Sequence, residues 1–253
     1  MINSRFSLIK DKVAIVTGAS SGIGHATSLA LAKAGAKVAI AARRTDRLQQ
    51  LENDIKKNAG QCLVITCDVT KRKDCESLVD AVIKKWGRVD ILINNAGIMP
   101  LSFLKNLKVD EWEQMIDVNI KGVIFCTAAA IPHMINQNSG HIVNLSSVAG
   151  RIVFPAGSVY CATKYAVRAF SEGIRQELSS RHNIRVTTIE PGVVATELTN
   201  TITDKSLESF VNFSKTMESL QSEDIANAIL FAVESPLHMN VNEILIRPTK
   251  QER

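Results

Sequence analysis

The chain contains few aromatic residues and few cysteines for its length. Phenylalanine, tryptophan and tyrosine make up 5% of its 253 residues, and only two of these are tyrosine. The five cysteines form no Cys-x-x-Cys pair, and an odd number fits reduced thiols better than a disulfide framework. The five histidines are scattered without ligand spacing. We therefore expect no bound metal and no disulfide-dependent fold.

The sequence also has little that would direct the chain to a membrane. Residues 1–11 lack the sustained apolar core of a signal peptide. No later run approaches the ~20 apolar residues that a membrane span needs. We therefore expect a cytoplasmic protein without a membrane partner.

A nucleic-acid partner is suggested only by the net charge of +5. Lysine and arginine are spread over most of the predicted helices, and no basic face is interleaved with aromatic residues that could stack on bases. We interpret the charge as a mildly basic solvated surface and expect no nucleic-acid binding.

Short apolar runs alternate with amphipathic helical segments along the whole chain. Strands are predicted at residues 13–17, 37–42, 61–66, 90–94, 140–146, 184–189 and 243–246. Helices are predicted at about residues 23–34, 46–58, 74–86, 110–135, 158–181 and 222–234. This alternation favours an α/β fold, a Rossmann-type doubly wound sheet of about seven parallel strands with helices on both faces. No linker divides the chain, so we predict a single domain over residues 1–253, with a substrate lid at about residues 199–219.

A glycine-rich turn follows the first predicted strand. Gly18, Gly22 and Gly24 open the first helix, where backbone N–H groups and the helix dipole can hold a pyrophosphate. Their spacing, Gly-x-x-x-Gly-x-Gly, differs from the commoner Gly-x-Gly-x-x-Gly dinucleotide signature. A simple tight turn is the alternative interpretation.

A tyrosine and a lysine lie one helical turn apart in the helix predicted at 158–181. Tyr160 and Lys164 share a face, and the other tyrosine, Tyr165, has Ala169 at the same spacing. A neighbouring cation favours the phenolate form of a tyrosine and so suits it to acid–base chemistry. An ordinary surface pair is the alternative, but Ser147 and the glycine turn occur upstream in the order that catalysis would need.

Together these segments resemble the short-chain dehydrogenase/reductase family, in the branch whose chains have about this length. The resemblance covers almost the whole chain. It rests on segments 17–24, 94–97 and 191–196 and on Asp68, Asn119, Ser147, Tyr160 and Lys164.

The resemblance implies four catalytic residues. Tyr160 would be the general acid/base for the substrate oxygen, and Ser147 would donate a hydrogen bond to that oxygen. Lys164 would lower the pKa of the tyrosine and hold the ribose hydroxyls. Asn119 would anchor a water-linked proton path from Lys164; taken alone, Asn119 is also typical of a helix bend or cap, and Ser147 of a strand end.

The resemblance also implies a set of nucleotide contacts. They are Gly18, Ser20, Ser21, Gly22, Ile23, Gly24, Asp68, Val69, Asn95, Ala96, Gly97, Tyr160, Lys164, Pro191, Gly192, Val194 and Thr196. Asn94 is expected to be architectural.

The second strand indicates which nicotinamide nucleotide would bind. NAD-type sites place a carboxylate at the end of this strand, on the ribose 2′-hydroxyl. Here the position is Ala42, followed by Arg43 and Arg44. Guanidinium groups can bind a phosphate through two hydrogen bonds, so we predict NADP(H), with Arg43 as the main contact and Arg44 as the second. A solvated basic loop is the alternative.

The substrate is less defined. Apolar candidates for the pocket wall are Ile98, Met99, Ile152, Phe154, Pro155, Ala156 and Gly157. They suggest a small or medium carbonyl compound or secondary alcohol. The ending at residues 242–249 resembles the group that contains NADP-dependent 3-hydroxy acid dehydrogenases, and the family suggests a homotetramer or homodimer. A non-catalytic nucleotide-sensing or scaffold protein on the same fold is the alternative function.

Overall fold

The computed structural model describes residues 8–252, without the side chains of residues 213–215. Residues 1–7, on which the expectation of no signal peptide partly rests, lie outside this part. Seven strands form one parallel sheet with the order β3-β2-β1-β4-β5-β6-β7. The strands are β1 Val13–Thr17, β2 Lys37–Ala42, β3 Gln61–Thr66, β4 Ile91–Asn94, β5 Gly140–Leu145, β6 Ile184–Pro191 and β7 Glu243–Ile246.

Eight α-helices connect or follow the strands. They are α1 Gly22–Lys33, α2 Thr45–Lys57, α3 Arg72–Trp86, α4 Val109–Ile116, α5 Gly122–Gln137, α6 Ser158–His182, α7 Glu208–Thr216 and α8 Ser222–Val233. The predicted elements are present with ends shifted by a few residues. The predicted helical stretch at 110–135 is present as Val109–Gln137, and a π-helical segment within it, Asp117–Lys121, separates α4 from α5.

The sheet has an apolar core on each face. On one face, β-strand residues pack with buried residues of α1, α2 and α8, including Leu31, Leu51 and Ile229. On the other face they pack with α3, α5 and α6, including Leu78 and Met134. Strands buried on both sides read as continuous apolar runs, which explains why they were visible in the sequence. The doubly wound α/β prediction is confirmed.

The strand order reverses at β1, which lies between β2 and β4. In open α/β sheets ligands bind beyond the carboxyl ends of the strands at such a point. Hydrogen bonds lock the ends of β1 and β4 together here. The hydroxyl of Thr17 accepts from the backbone N–H groups of Asn95 at 3.1 Å and Ala96 at 3.2 Å, and the Asn95 amide donates to the Thr17 carbonyl at 2.9 Å.

One helical stretch in the described part, Val109–Gln137, is long and apolar enough to cross a membrane by length and composition alone. A core helix passes the same test. Cys126, Ala130 and Met134 of this stretch are buried in the core beside α3. Packing in the core therefore accounts for these three apolar residues.

Candidate active site

The glycine turn at the end of β1 brings the start of α1 against the loop that follows β4. Gly18 and Gly22 have positive φ angles of 64° and 54°. A Cβ on Gly24 would lie 2.4 Å from the Asn95 amide nitrogen and 2.5 Å from the Gly18 carbonyl oxygen. Only glycine fits there, because the two backbone segments approach too closely for a side chain.

The first turn of α1 is available to an anion. The N-cap residue, Ser21, has no side-chain hydrogen bond to the helix, and the turn carries no acidic residue. The free N–H groups of a helix start favour a negatively charged ligand. A cavity of about 650 Å³ opens beside this turn and is lined by residues that include Ser21, Gly22, Val194 and Thr196. These groups fit the pyrophosphate of a dinucleotide.

Asp68 and Val69 lie beyond the end of β3. The Asp68 carboxylate accepts hydrogen bonds from the backbone and the hydroxyl of Thr70, at 3.1 and 2.8 Å. Burial raises the pKa of Asp68, but the Thr70 hydrogen bonds and the charge of Arg43 outweigh it, so the net shift is downward. Asp68 is therefore held as a carboxylate.

Arg44 contacts the glycine turn directly. Its guanidinium donates to the Ser20 hydroxyl at 3.0 and 3.1 Å and to the Ser21 hydroxyl at 2.7 Å. Arg43 is exposed, and its charge acts on Asp68. The sequence prediction ranked Arg43 first, whereas in the structure Arg44 is the arginine on the turn.

Two charged residues at this edge were not among the predicted site residues. The Glu197 carboxylate pairs with Arg44 at 2.9 Å and with Arg47 at 2.6 Å. Arg47 follows Arg43 and Arg44 closely in the sequence, so it could have been predicted as a member of the same basic cluster. Glu197 could not, since it lies 153 residues after Arg44 and nothing in the sequence links the two.

Tyr160 and Lys164 face the interior of the protein from α6. They are 6% and 7% exposed, so the interpretation as a surface pair is wrong. The Lys164 ammonium lies 5.7 Å from the centre of the Tyr160 ring and donates to the Leu145 carbonyl at 2.8 Å. The Ser147 hydroxyl lies close enough to the Tyr160 hydroxyl to influence its pKa. The structure thus brings Ser147, Tyr160 and Lys164 together.

Ser147 is held by two further hydrogen bonds. It is the N-cap of a short 3₁₀ turn, Val148–Gly150, and its hydroxyl accepts from the backbone N–H of Ala149 at 3.1 Å. The same hydroxyl donates to the Pro191 carbonyl at 3.3 Å. These contacts fix the serine between the ends of β5 and β6.

Burial shifts the pKa values of both α6 residues. It raises the pKa of Tyr160 to about 12, although hydrogen bonding between Tyr160 and Ser147 acts the other way. It lowers the pKa of Lys164 to about 8. The shift of the tyrosine is opposite to the lowering that the family resemblance implies. The cost of removing water from the phenolate outweighs the favourable effect of hydrogen bonding to Ser147.

Asn119 lies in the π-helical segment, buried at 1% exposure. Its amide accepts from the Ile98 N–H at 2.9 Å and donates to the Ile98 carbonyl at 2.9 Å and to the Thr163 hydroxyl at 3.2 Å. A Cβ on Gly97 would be 3.4 Å from the Asn119 oxygen and 3.8 Å from the Lys164 ammonium. Asn119 therefore lies in the same site as Lys164. It also lies at a helix irregularity, which agrees with the alternative interpretation of Asn119 as a residue typical of a helix bend.

The segment after β6 forms the opposite wall. Val194 pairs with Leu220 in a β-bridge, and the Thr196 hydroxyl caps the 3₁₀ turn Glu197–Thr201 by accepting from Leu198 N–H at 3.3 Å. Gly192 faces elsewhere, because a Cβ there would lie 2.2 Å from the Gln251 side-chain oxygen. Of the predicted residues in this segment, Val194 and Thr196 line the cavity.

An apolar cluster packs around Tyr160. Four of the predicted lining residues belong to it: Ile98, Met99, Phe154 and Ala156. Ile202 and Leu207 of the predicted lid join the same cluster. The lid is anchored at Asp204, which accepts from the Asn106 amide at 2.6 Å. The segment predicted as the lid contains the helix α7.

In the described part of the chain, no group of three or more His, Cys, Asp or Glu side chains could hold a metal ion.

Comparisons with known proteins agree with this geometry. A family model described as short chain dehydrogenase matches residues 12–207. An uncharacterized oxidoreductase of Staphylococcus saprophyticus is 47% identical over 244 residues, which cover 96% of this chain and 98% of that protein.

Two solved structures show the same fold. The closed form of serine dehydrogenase complexed with NADP+ has a TM-score of 0.88 and 34% identity, over 95% of this chain and 96% of that one. A short chain dehydrogenase/reductase from Burkholderia phymatum in complex with NAD has a TM-score of 0.86 and 25% identity, over 94% and 89% of the two chains. Since the family model covers residues 12–207 and the relative is 47% identical, the chain belongs to the short-chain dehydrogenase family of oxidoreductases.

Proposed function

We propose that this protein transfers a hydride between NADP(H) and a small or medium carbonyl compound or secondary alcohol. The observation that carries the proposal is the cluster of Ser147 with the buried Tyr160 and Lys164, since Ser147 follows β5 at the same edge of the sheet as the glycine turn after β1. When bound, the nicotinamide supplies or accepts the hydride. The residues of the chain then have to bind the nucleotide, orient the substrate oxygen and move one proton.

In this proposal the proton moves at the Tyr160 hydroxyl. Ser147 donates a hydrogen bond to the substrate oxygen and stabilises the negative charge that develops on it. Lys164 holds the ribose hydroxyls and offsets part of the desolvation cost of the phenolate. Asn119 supports a water-linked path towards Lys164 and fixes the loop at Ile98.

The preference for the phosphorylated nucleotide rests on three features. Ala42 replaces the carboxylate that would bind a ribose 2′-hydroxyl. Arg44 already contacts Ser20 and Ser21 of the turn, and Arg43 is exposed beside Asp68. The guanidinium groups are suited to a 2′-phosphate. The serine dehydrogenase with bound NADP+ adds support, while the relative with bound NAD makes a direct comparison of the two nucleotides necessary.

The substrate class includes 3-hydroxy acids. Serine is itself a 3-hydroxy acid, so the similarity to serine dehydrogenase agrees with the resemblance of residues 242–249 to that group. We further propose a cytoplasmic homotetramer or homodimer without nucleic-acid or membrane partners. Size-exclusion chromatography with light scattering tests the assembly.

The experiment that tests the activity is a screen at the NADPH absorbance band, with NADH in parallel. The panel contains ketones, aldehydes, keto acids and, in the oxidative direction, serine and other 3-hydroxy acids. With any active substrate, Tyr160→Phe should remove turnover but keep NADPH binding. Full activity in Tyr160→Phe contradicts the mechanism, and no turnover over the whole panel favours the nucleotide-sensing or scaffold alternative.

A further inference from the structure

Glu197 connects the two walls of the nucleotide cleft. It follows Thr196, on the wall formed after β6, and its carboxylate reaches Arg44 and Arg47 on the opposite wall. Arg44 in turn contacts Ser20 and Ser21 of the glycine turn. The carboxylate therefore binds the guanidinium group that the proposed function gives to a 2′-phosphate.

The donors of Arg44 are divided between these partners. Its Nε and one terminal nitrogen are directed at the two serine hydroxyls, and the other terminal nitrogen is directed at Glu197. Hydrogen bonds from Arg47 and then Arg44 lower the pKa of Glu197 to about 2, so the carboxylate is charged at any working pH. A phosphate that approaches Arg44 meets a negative charge already bound there.

Resting on the proposed function, we propose that Glu197 is a specificity-determining residue that competes with the 2′-phosphate of the nucleotide for Arg44 and Arg47. A nucleotide with this phosphate displaces the carboxylate and frees the turn Glu197–Thr201, at the start of the lid. A nucleotide without it leaves the ion pairs in place.

The ion pairs are weak enough to be displaced. The side chains of Arg44, Arg47 and Glu197 are 41–45% exposed, where water and salt screen the attraction between charges. A phosphate carries more charge than a carboxylate and offers three acceptor oxygens to guanidinium donors. The phosphate therefore displaces the carboxylate. Its affinity is lower than it would be without Glu197, because the ion pairs must be broken first.

The test is calorimetric titration of the full chain with adenosine 2′,5′-bisphosphate and with 5′-AMP, which lacks the 2′-phosphate. The variants are Glu197→Gln and, as a control, Glu76→Gln. Glu76 is equally exposed at 45% and pairs with Arg72 on α3, so the control removes the same charge away from the cleft.

Glu197→Gln should bind the bisphosphate about threefold to tenfold more tightly than the wild type, as expected for the loss of two exposed competing ion pairs. Its affinity for 5′-AMP should stay within about twofold, the control should resemble the wild type for both ligands, and the gain should shrink at high salt. Unchanged or weaker bisphosphate binding in Glu197→Gln overturns the inference.

The two proposals fail separately. If the wild type prefers the bisphosphate and Glu197→Gln does not increase that preference, the inference is wrong and the NADP(H) assignment stands. If the wild type shows no preference and Glu197→Gln acquires one, the inference stands and the NADP(H) preference of the natural chain is wrong. Hydrogen exchange of residues 197–201 gives a second measurement, since the bisphosphate should speed it and 5′-AMP should not.

Discussion

The Ser147 hydroxyl donates its hydrogen bond to the Pro191 carbonyl at 3.3 Å. A serine hydroxyl has one hydrogen to donate. Since that hydrogen points at Pro191, Ser147 must turn it towards the substrate oxygen before it can stabilise negative charge there. The contact with Pro191 therefore holds the serine in place, and the hydroxyl has to rotate away from Pro191 before it can donate to the substrate oxygen.

Replacing Ser147 should reduce turnover much more than it reduces stability. In Ser147→Ala the developing charge on the substrate oxygen loses one donor, and such a loss costs about 10²–10³ in kcat. NADPH binding should change little. Steady-state kinetics on any active substrate and fluorescence titration with NADPH measure the two effects. A wild-type kcat in this variant contradicts the role of the serine.

The neighbouring serine provides a matched control. Ser146 is buried and its hydroxyl donates to the Lys164 carbonyl at 2.9 Å, away from the Tyr160 hydroxyl. Ser146→Ala should lower the free energy of unfolding by about 1 kcal/mol, because the hydrogen bond from the Ser146 hydroxyl to the Lys164 carbonyl is lost while the helical hydrogen bond of that carbonyl remains. Its effect on kcat should be smaller than that of Ser147→Ala.

The ionisation of Tyr160 can be measured directly because the chain has only two tyrosines. Tyr165→Phe leaves Tyr160 as the one phenol. Burial raises its pKa to about 12, so the ultraviolet absorbance of phenolate should be nearly absent at pH 10, where an ordinary tyrosine is about half ionised. Addition of NADP+ should shift the titration to lower pH, since the oxidised nicotinamide carries a positive charge. Half-ionisation at pH 10 without nucleotide contradicts the burial argument.

Local sequence patterns predicted most of the fold. The strands β1, β2 and β3 have the predicted ends. In β1 and β2 the apolar runs are buried and end at Gly18 and Arg43, which makes the boundaries visible in the sequence. The glycine turn could also be predicted from the sequence, since Gly24 lies too close to Gly18 and Asn95 for any side chain. The resemblance then supplied Ser147, Tyr160 and Lys164, which the fold brings together.

What local patterns could not predict depends on distant parts of the chain. The pairing of Glu197 with Arg44 depends on how the two walls of the nucleotide cleft face each other, and it joins residues far apart in sequence. The upward shift of the Tyr160 pKa depends on how completely other segments cover it. The π-helical segment at Asn119 follows from the hydrogen bonds of its amide to Ile98, which periodicity does not reveal.

A buried carboxylate next to Pro191 should contribute to stability. Glu190 is 0% exposed and pairs with Arg151 and Arg168. In Glu190→Gln both guanidinium groups keep Glu243 as a counter-charge but lose the buried one. Since Arg151 and Arg168 are also about a third exposed, at 29% and 35%, we expect a loss of at most about 2 kcal/mol, below the ~3–5 kcal/mol of fully buried pairs.

Chemical denaturation of Glu190→Gln measures this loss. The control is Glu172→Gln, whose carboxylate is 47% exposed and pairs with Arg175. That change should cost less than about 1 kcal/mol. Equal stabilities for the two variants contradict the assignment of a structural role to Glu190.

His141 should make the protein less stable in mild acid. It is fully buried, with its Nε2 atom 2.7 Å from the Thr187 hydroxyl. Burial, followed by the charge of Arg185, lowers its pKa well below the ordinary 6.5. Above pH 6.5 the ring is neutral in both the folded and the unfolded chain. Below pH 6.5 only the unfolded chain gains the proton, so the free energy of unfolding decreases as the pH decreases.

Urea denaturation between pH 7.5 and pH 5 checks this sign. The wild type should lose up to about 1.4 kcal/mol per pH unit from this group, and His141→Gln should show a shallower dependence. The comparison uses the slopes, so a difference in stability between the two proteins at pH 7.5 does not affect it. Identical slopes contradict the assignment.

Two glycine substitutions test the close packing of the nucleotide turn. Gly24→Ala places a methyl group 2.5 Å from the Gly18 carbonyl oxygen, a backbone atom that cannot move without opening the turn. Gly173 is a control on α6, because a Cβ there meets no heavy atom within 4 Å among the described residues. Both changes add one methyl group to a helix.

We expect opposite effects on stability. Gly24→Ala should lower the free energy of unfolding by about 1–3 kcal/mol through overpacking and weaken NADPH binding, because the first-turn N–H groups of α1 move. Gly173→Ala should raise the free energy of unfolding by up to about 1 kcal/mol, since alanine favours the helix over glycine, and should leave NADPH binding unchanged. Thermal denaturation and fluorescence titration measure both quantities. Wild-type NADPH affinity in Gly24→Ala would mean that the turn does not hold the nucleotide through these N–H groups.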